Sequence, residues 1–228
     1  LFENCNIPEN IPKVDGFCSL HLKNEWDIDG ILYGLYHDQS GTNALPAPLL
    51  DFLGVSQISP TNSIFVWQSR KTFLPLATAG QRPIFASGVE TVKKLESADF
   101  NPRHTVYLPL SARRQVTVTN VSKAKIAFQQ FGAQKIHLTV EAPAPALVVV
   151  AQAFYHDWHA YVDGRPVPLL RANHAFQALE VPAGRHEVML RYVDWMFRLG
   201  AVISALTLLG CLAGLFVKPG WMSPDRPA

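Results

Sequence analysis

Apolar and polar positions alternate with period two along most of the second half of the chain. Val116 and Val118 alternate with Thr117 and Thr119, and Ile136, Leu138 and Val140 alternate with Lys135, His137, Thr139 and Glu141. Successive strand residues point to opposite faces, so each run predicts a strand with one buried face. Ala146–Phe154 is almost continuously apolar, as a strand covered on both faces would be. Ala160-Tyr161-Val162 leads into Asp163-Gly164 and then Pro166–Leu170. An Asp-Gly pair between apolar runs predicts a type I′ hairpin, which needs positive φ at both turn positions. Phe176–Val181, the turn Pro182-Ala183-Gly184 and His186–Val193 complete the series. About seven strands at this spacing predict an antiparallel β-sandwich over 116–194.

Residues 1–115 are less regular and read as an α+β region. Ser87-Gly88-Val89-Glu90 has the form of a capping box, and Val89, Val92 and Leu95 then share one face, which predicts a helix over 88–98. Pro48–Val55 predicts a second short helix. Ile64–Trp67, Leu74–Ala77 and Thr105–Leu108 predict strands.

A different pattern closes the chain. Leu199 to Val217 holds no charged residue. At a rise of about 1.5 Å per residue it would span about 28 Å, close to the hydrocarbon thickness of a bilayer. Trp195 and Arg198 precede it, and Lys218, Trp221 and Arg226 follow. Such flanks suit the two interfaces, so 195–218 is predicted to cross a lipid bilayer, with 219–228 a short tail. Loop charge does not orient it, because Arg191 and Arg198 balance Lys218 and Arg226. The competing reading is a buried helix of a soluble domain.

Composition changes this picture only in places. Of the 228 residues, 48% are hydrophobic and 17% charged, too apolar for a disordered chain. The net charge of +2 gives no electrostatic footprint for nucleic acid. The chain starts at Leu1 and enters the polar segment Glu3–Pro12 without a signal-peptide pattern, which reads as a mature or truncated piece. Three cysteines are too few for a disulfide-built fold. Cys5 and Cys18 are compatible with a disulfide on the outer side of a membrane, and their spacing neither requires nor forbids it.

Candidate chemistry concentrates in two clusters. The first is Tyr155-His156-Asp157-Trp158-His159-Ala160-Tyr161-Val162-Asp163-Gly164. Aromatic rings stack on the apolar faces of sugars and carboxylates bind their hydroxyls, so Tyr155, Asp157, Trp158, Tyr161 and Asp163 are candidates for glycan contact. The alternative is that Trp and Tyr belong to the sandwich core with their polar tips at its rim. Zinc ligation by His156, Asp157 and His159 would need a turn here and a further ligand, His174 or His186. The second cluster is Arg171-Ala172-Asn173-His174, where Arg171 and Asn173 are candidates for binding an anionic partner, or Arg171 pairs with Asp157 or Asp163. Scattered acids such as Asp27 and Asp51 read as solvated loop or cap residues. No nucleophile elbow, phosphate loop, H-E-x-x-H or C-x-x-C is present, and no catalytic or metal-binding residue is assigned.

The segment 146–217 resembles the C-terminal end of the YfhO-like family of bacterial membrane proteins. The resemblance is carried by Ala146–Phe154, Tyr155-x-x-Trp158-x-Ala160-Tyr161-Val162-Asp163-Gly164, Arg171-Ala172-Asn173-x-Ala175-Phe176, Val181-Pro182-Ala183-Gly184-x-His186-x-Val188 and Arg191-Tyr192, followed by the final apolar helix. The family usually has Pro-Gly where this chain has His156-Asp157. The segments Leu49–Ile58, Phe73-Leu74-Pro75 and Asp99–Val106 extend the likeness upstream.

The resemblance implies a polytopic parent similar to glycosyltransferases that use lipid-linked sugars, with undecaprenyl-phosphate-linked sugar as donor and a cell-envelope polymer as acceptor. It implies that residues 1–194 lie outside the bacterial cytoplasmic membrane. It also implies that this chain lacks the catalytic centre and serves substrate binding or covers the active site. The other reading is a membrane-anchored carbohydrate-binding or adhesion module. A soluble hydrolase finds no motif in the sequence.

Overall fold

A computed structural model describes residues 22–34, 46–59 and 66–216. The chain divides into two units, Leu1–Arg191 and Tyr192–Ala228.

The first unit is mostly β. Two helices open it, α1 (Lys23–Gly34) and α2 (Ala47–Phe52), followed by the short strands β1 (Gln57–Ile58), β2 (Gln68–Ser69) and β3 (Ala77–Ala79). Next come β4 (Arg82–Ala86), α3 (Gly88–Glu96) and β5 (Thr105–Pro109), then a 3-10 turn at Leu110–Arg114. The remaining strands are β6 (Lys125–Phe131), β7 (Lys135–Ala142), β8 (Ala146–Ala153), β9 (Trp158–Val162), β10 (Arg165–Val167), β11 (Leu170–Ala172), β12 (Phe176–Val181) and β13 (Gly184–Tyr192).

Two antiparallel sheets dominate. One has five strands in the order β10-β9-β13-β7-β6, the other four in the order β11-β12-β8-β3. Ile136, Leu138, Val140, Val188 and Leu190 on the inner face of the five-stranded sheet are at most 1% exposed. On the four-stranded sheet, Val148, Val150, Leu179 and Val181 are fully buried. Each such side chain contributes about 1.5–3 kcal/mol by leaving water. The sheets meet where the Ala77 N–H of β3 donates to Gln129 Oε1 of β6 at 3.4 Å. They share no strand, so the sandwich is not a closed barrel.

Strand β8 is the central layer. Its other face, Leu147 and Val149, belongs to a core cluster that includes Ile28 and Ile31 of α1, Leu49 and Phe52 of α2, Leu95 of α3 and Leu108 of β5. The unbroken apolar run Ala146–Val150 is therefore covered on both sides, as its composition predicts. The N-terminal α/β segment is packed onto the sandwich through this one core.

Several local expectations are met. Ser87 caps α3 with the reciprocal Glu90 bonds of a capping box. Asp163 and Gly164 have φ of 50° and 76°, as a type I′ turn requires. Others differ. Val116–Thr119 is not a strand: the Glu180 carboxylate accepts from both the Thr117 N–H and its hydroxyl, and so takes the place of a ladder partner. Strand β3 begins at Ala77, later than the predicted Leu74–Ala77. Val66 and Trp67 lie outside any strand, and Ile64 and Phe65 lie outside the described residues. The pair β4–β5 is parallel and is connected through α3, a βαβ unit that the sequence reading did not distinguish.

The second unit contains α4 (Trp195–Phe216). Asp194 starts it, with Oδ1 accepting from the Phe197 N–H at 2.7 Å. Trp195–Gly214 is long and apolar enough to cross a membrane, and none of it is buried. Leu206 is 64% and Leu209 62% exposed. So continuous an apolar surface suits lipid rather than water, and the buried-helix reading is set aside. Thr207 Oγ1 returns its proton to the Ile203 carbonyl at 2.9 Å, so the hydroxyl is satisfied within the helix. Cys211 lies on α4 as a free, exposed thiol. Cys5 and Cys18, and the flanking Lys218, Trp221 and Arg226, lie outside the described residues.

Candidate functional site

A group of polar side chains converges at the carboxyl ends of the parallel pair. Strands β4 and β5 run side by side and end at Ala86 and Pro109. At that edge a cleft of about 510 Å³ opens between α1, the start of α3 and the turn from β11 to β12. In sheets with parallel strands, the crevice beyond the strand carboxyl ends is the usual place for a ligand.

Asn173 builds the turn. Both Asn173 and His174 have left-handed backbones, with φ of 43° and 72°. Asparagine tolerates that conformation better than most residues. Its side chain is 1% exposed, and Oδ1 accepts from the Tyr107 N–H at 2.9 Å. The Asn173 N–H donates to the Tyr107 carbonyl at 2.8 Å. The tight turn is thereby fastened to β5.

His174 faces the cleft from this support. Its Nε2 bonds to Asp27 Oδ2 at 2.7 Å, and Asn24 Nδ2 donates to its carbonyl at 2.8 Å. Two α1 residues therefore fix the ring and the peptide of one β-turn residue. Nε2 is engaged by Asp27, and Nδ1 lies beside Gly88. A Cβ at Gly88 would lie 3.5 Å from that nitrogen, an ordinary van der Waals distance, so the start of α3 lies directly beside the ring. Tyr107 also lines the cleft, and burial pushes its phenol up from its ordinary value, which keeps it a neutral donor. Glu90 does not line the cleft; its carboxylate, held below the usual range first by the Ser87 N–H, caps the start of α3 beside it. Lys23 and Arg171 supply positive charge at the rim. Together these groups can accept from hydroxyls, donate to oxygens and attract an anion.

The residues singled out from sequence separate in space. Arg171 lies at the cleft, with its guanidinium 5.1 Å from the centroid of the Phe154 ring. It pairs with neither Asp157 nor Asp163. Asp163 is taken by His186 at 2.7 Å, and Asp157 lies 3.4 Å from His156. Asn173 serves as the cleft's support. Trp158 is 7% exposed and belongs to the interior. Tyr155 lies on the turn before β9, its ring 4.1 Å from that of His156. The turn closes with the Trp158 N–H on the Tyr155 carbonyl at 3.1 Å, although His156-Asp157 replaces Pro-Gly. Tyr161 and Asp163 lie on β9 and at its hairpin tip, and Tyr161 lines a second, smaller depression.

The sequence reading of Asp27 as a solvated loop or cap residue is corrected by its bond to His174; Asn24 and Tyr107 are not singled out from sequence, and His174 is considered there only as a metal ligand. No local sequence signal marks them, because the left-handed backbone of Asn173 and His174 is visible only in the structure.

Comparison with known families bears on the same region. Residues 96–204 match the family described as bacterial membrane protein YfhO. The resemblance to YfhO drawn from 146–217 is thus shown, and the match runs from the last residue of α3 through β5–β13 into α4. The family match and the length and composition of α4 together support membrane association. Among solved structures, the chain is similar to one described as "Single-Particle Cryo-EM Structure of Arabinofuranosyltransferase AftD from Mycobacteria". Identity is 20% and the TM-score 0.33, and the alignment covers 44% of this chain and 8% of that one. A search of curated proteins found no match.

Proposed function

We propose that this YfhO-like chain is the substrate-holding outer part of a bacterial membrane protein similar to glycosyltransferases that use lipid-linked sugars. The observation that carries the reading is the YfhO match, which couples the folded domain to a membrane helix without a break. The cleft supplies the second half of the argument. Asp27 and His174 Nδ1 accept from sugar hydroxyls, the Tyr107 phenol donates, and Lys23 and Arg171 receive the charge of a phosphate. A lipid-linked sugar phosphate presents all three features, so an undecaprenyl-phosphate-linked sugar is the proposed ligand. A cell-envelope polymer is the proposed acceptor.

In this reading residues 1–194 lie on the outer side of the cytoplasmic membrane and 219–228 on the inner side. The chain holds or covers substrate and carries no transfer chemistry of its own. The test uses the protein in lipid nanodiscs with a radiolabelled undecaprenyl-phosphate sugar. Retention of the label, and its loss in Arg171→Ala and His174→Ala, is expected, with no sugar moved to added polymer. Transfer by this chain alone would refute the non-catalytic role. Equal retention by both variants would refute the cleft.

A further inference from the structure

The outer face of the five-stranded sheet carries a second set of groups, remote in sequence from the cleft. Alternation points Ile136, Leu138, Val188 and Leu190 inward, and therefore turns Lys135, His137, Glu187, Met189 and Arg191 outward. Register places Met189 opposite His137, and His137 opposite Gln130. Tyr161 of β9 lines one depression of about 230 Å³ with Met189, His137 and Glu187. Tyr161, Met189, His137 and Gln130 thus form a row across four strands, about 14 Å long at about 4.8 Å per strand. Phe128 meets His137 edge-on, with centroids 5.7 Å apart. The Glu187 carboxylate already receives His137 Nε2 at 2.6 Å and the Thr139 hydroxyl at 2.9 Å. A carboxylate has about four acceptor sites, so capacity for further hydroxyls remains.

One end of this face is electrostatically incomplete. Arg191 lies directly opposite Lys135 in the ladder, and like charges so placed repel. Elsewhere the face is balanced. Glu141 takes Lys125 at 2.9 Å and Arg185 at 3.2 Å, Glu187 takes His137, and Asp163 takes His186. Among the described residues, neither Arg191 nor Lys135 forms an ion pair with an acidic side chain. Arg191 also lines the depression. An apolar, aromatic floor with hydroxyl acceptors thus adjoins two cations that lack a counter-charge.

We propose that this face binds an acidic glycan. One sugar ring lies on Tyr161 and Met189, its hydroxyls bond to Glu187, and a phosphate or carboxylate substituent sits between Arg191 and Lys135. The surface shares no residue with the cleft, so the proposal stands or falls independently of the lipid-linked-sugar reading.

The test is a binding titration of the full 228-residue chain in phosphatidylcholine nanodiscs. Three polymers are compared: phosphorylated dextran, neutral dextran and polyglutamate. Phosphorylated dextran is expected to bind at least about tenfold more tightly than either of the others. Tyr161→Ala and the double variant Lys135→Gln/Arg191→Gln should each abolish that preference, while Lys94→Gln, an exposed α3 charge outside both surfaces, leaves it intact. Unchanged melting temperatures confirm that the variants fold. Equal binding of polyglutamate, or indifference to Tyr161→Ala, overturns the proposal. Occupancy by acidic lipid would also overturn it, and would show as loss of dextran binding when phosphatidylglycerol replaces phosphatidylcholine.

Discussion

Asn173 and Tyr107 exchange two hydrogen bonds across 66 residues of sequence, with Oδ1 accepting at 2.9 Å and the Asn173 N–H donating at 2.8 Å. One asparagine thus behaves toward β5 as a strand partner would. Replacing it with alanine leaves the buried Tyr107 N–H unsatisfied, at about 1–3 kcal/mol, and forces a Cβ-bearing side chain without local hydrogen bonds into the left-handed region, at about 1 kcal/mol more. Asn173→Ala should therefore lose about 2–4 kcal/mol in urea unfolding. A loss below about 0.5 kcal/mol would mean that the turn is held by other contacts.

Trp158 and Tyr161 are three residues apart in a segment read from sequence as glycan-contacting. They point to opposite faces of β9, one buried and the other half-buried and lining the outer depression. Trp158→Ala should cost about 3–5 kcal/mol, whereas Tyr161→Ala should cost less than about 1 kcal/mol. Comparable losses for both would contradict this division of roles.

How legible this was depended on the kind of order involved. Period-two alternation exposed β7 and β13, because each has one wet face and one dry face. The Asp163-Gly164 hairpin and the Ser87–Glu90 capping box are local, and their residues suffice to specify them. The cleft is not local. It needs Asp27 of α1, Tyr107 of β5 and His174 of a β-turn, and no spacing within one segment brings them together. Val116–Thr119 shows the opposite failure: its alternation is real, but Glu180 satisfies Thr117 and no strand forms there.

The β9–β10 hairpin is fastened to β13 by a pH-dependent pair. Asp163 Oδ2 accepts from His186 Nδ1 at 2.7 Å, and Oδ1 from the Glu187 N–H at 2.9 Å. His186 Nε2 faces the Ala183 carbonyl at 3.2 Å. Both ring nitrogens meet acceptors, so the full set of bonds needs the imidazolium. The Asp163 hydrogen bond raises the His186 pKa above its ordinary value, and the same bond, with the Glu187 N–H next, lowers that of Asp163.

The sign follows from linkage. His186 contributes fully below about 6.5 and loses its contribution as pH rises through its raised value. Asp163 contributes fully above about 3.9 and loses its contribution as pH falls through its lowered value. Melting temperature should hold a plateau between about pH 4 and about pH 6.5 and fall on either side. Asp163→Asn keeps the left-handed turn and should flatten the alkaline decline. An unchanged decline in that variant would place its origin elsewhere.

Helix α4 depends on having no charge at its centre. Leu206 lies near its midpoint, and an arginine there costs about 2.5–3.5 kcal/mol of insertion free energy. Leu206→Arg should shift protein out of the carbonate-resistant membrane fraction, while Thr207→Val should not. Equal retention of wild type and Leu206→Arg would argue that α4 is not the anchor.

The claim that the cleft holds a lipid-linked sugar is met most directly by photocrosslinking. An undecaprenyl-phosphate sugar with a photoreactive group on the sugar is incubated with the protein in nanodiscs, and the modified peptides are mapped by mass spectrometry. Crosslinks at 23–27 and 171–174 are predicted, competed by unlabelled donor and lost in His174→Ala. Crosslinks confined to 195–216, or unchanged in His174→Ala, would contradict the account.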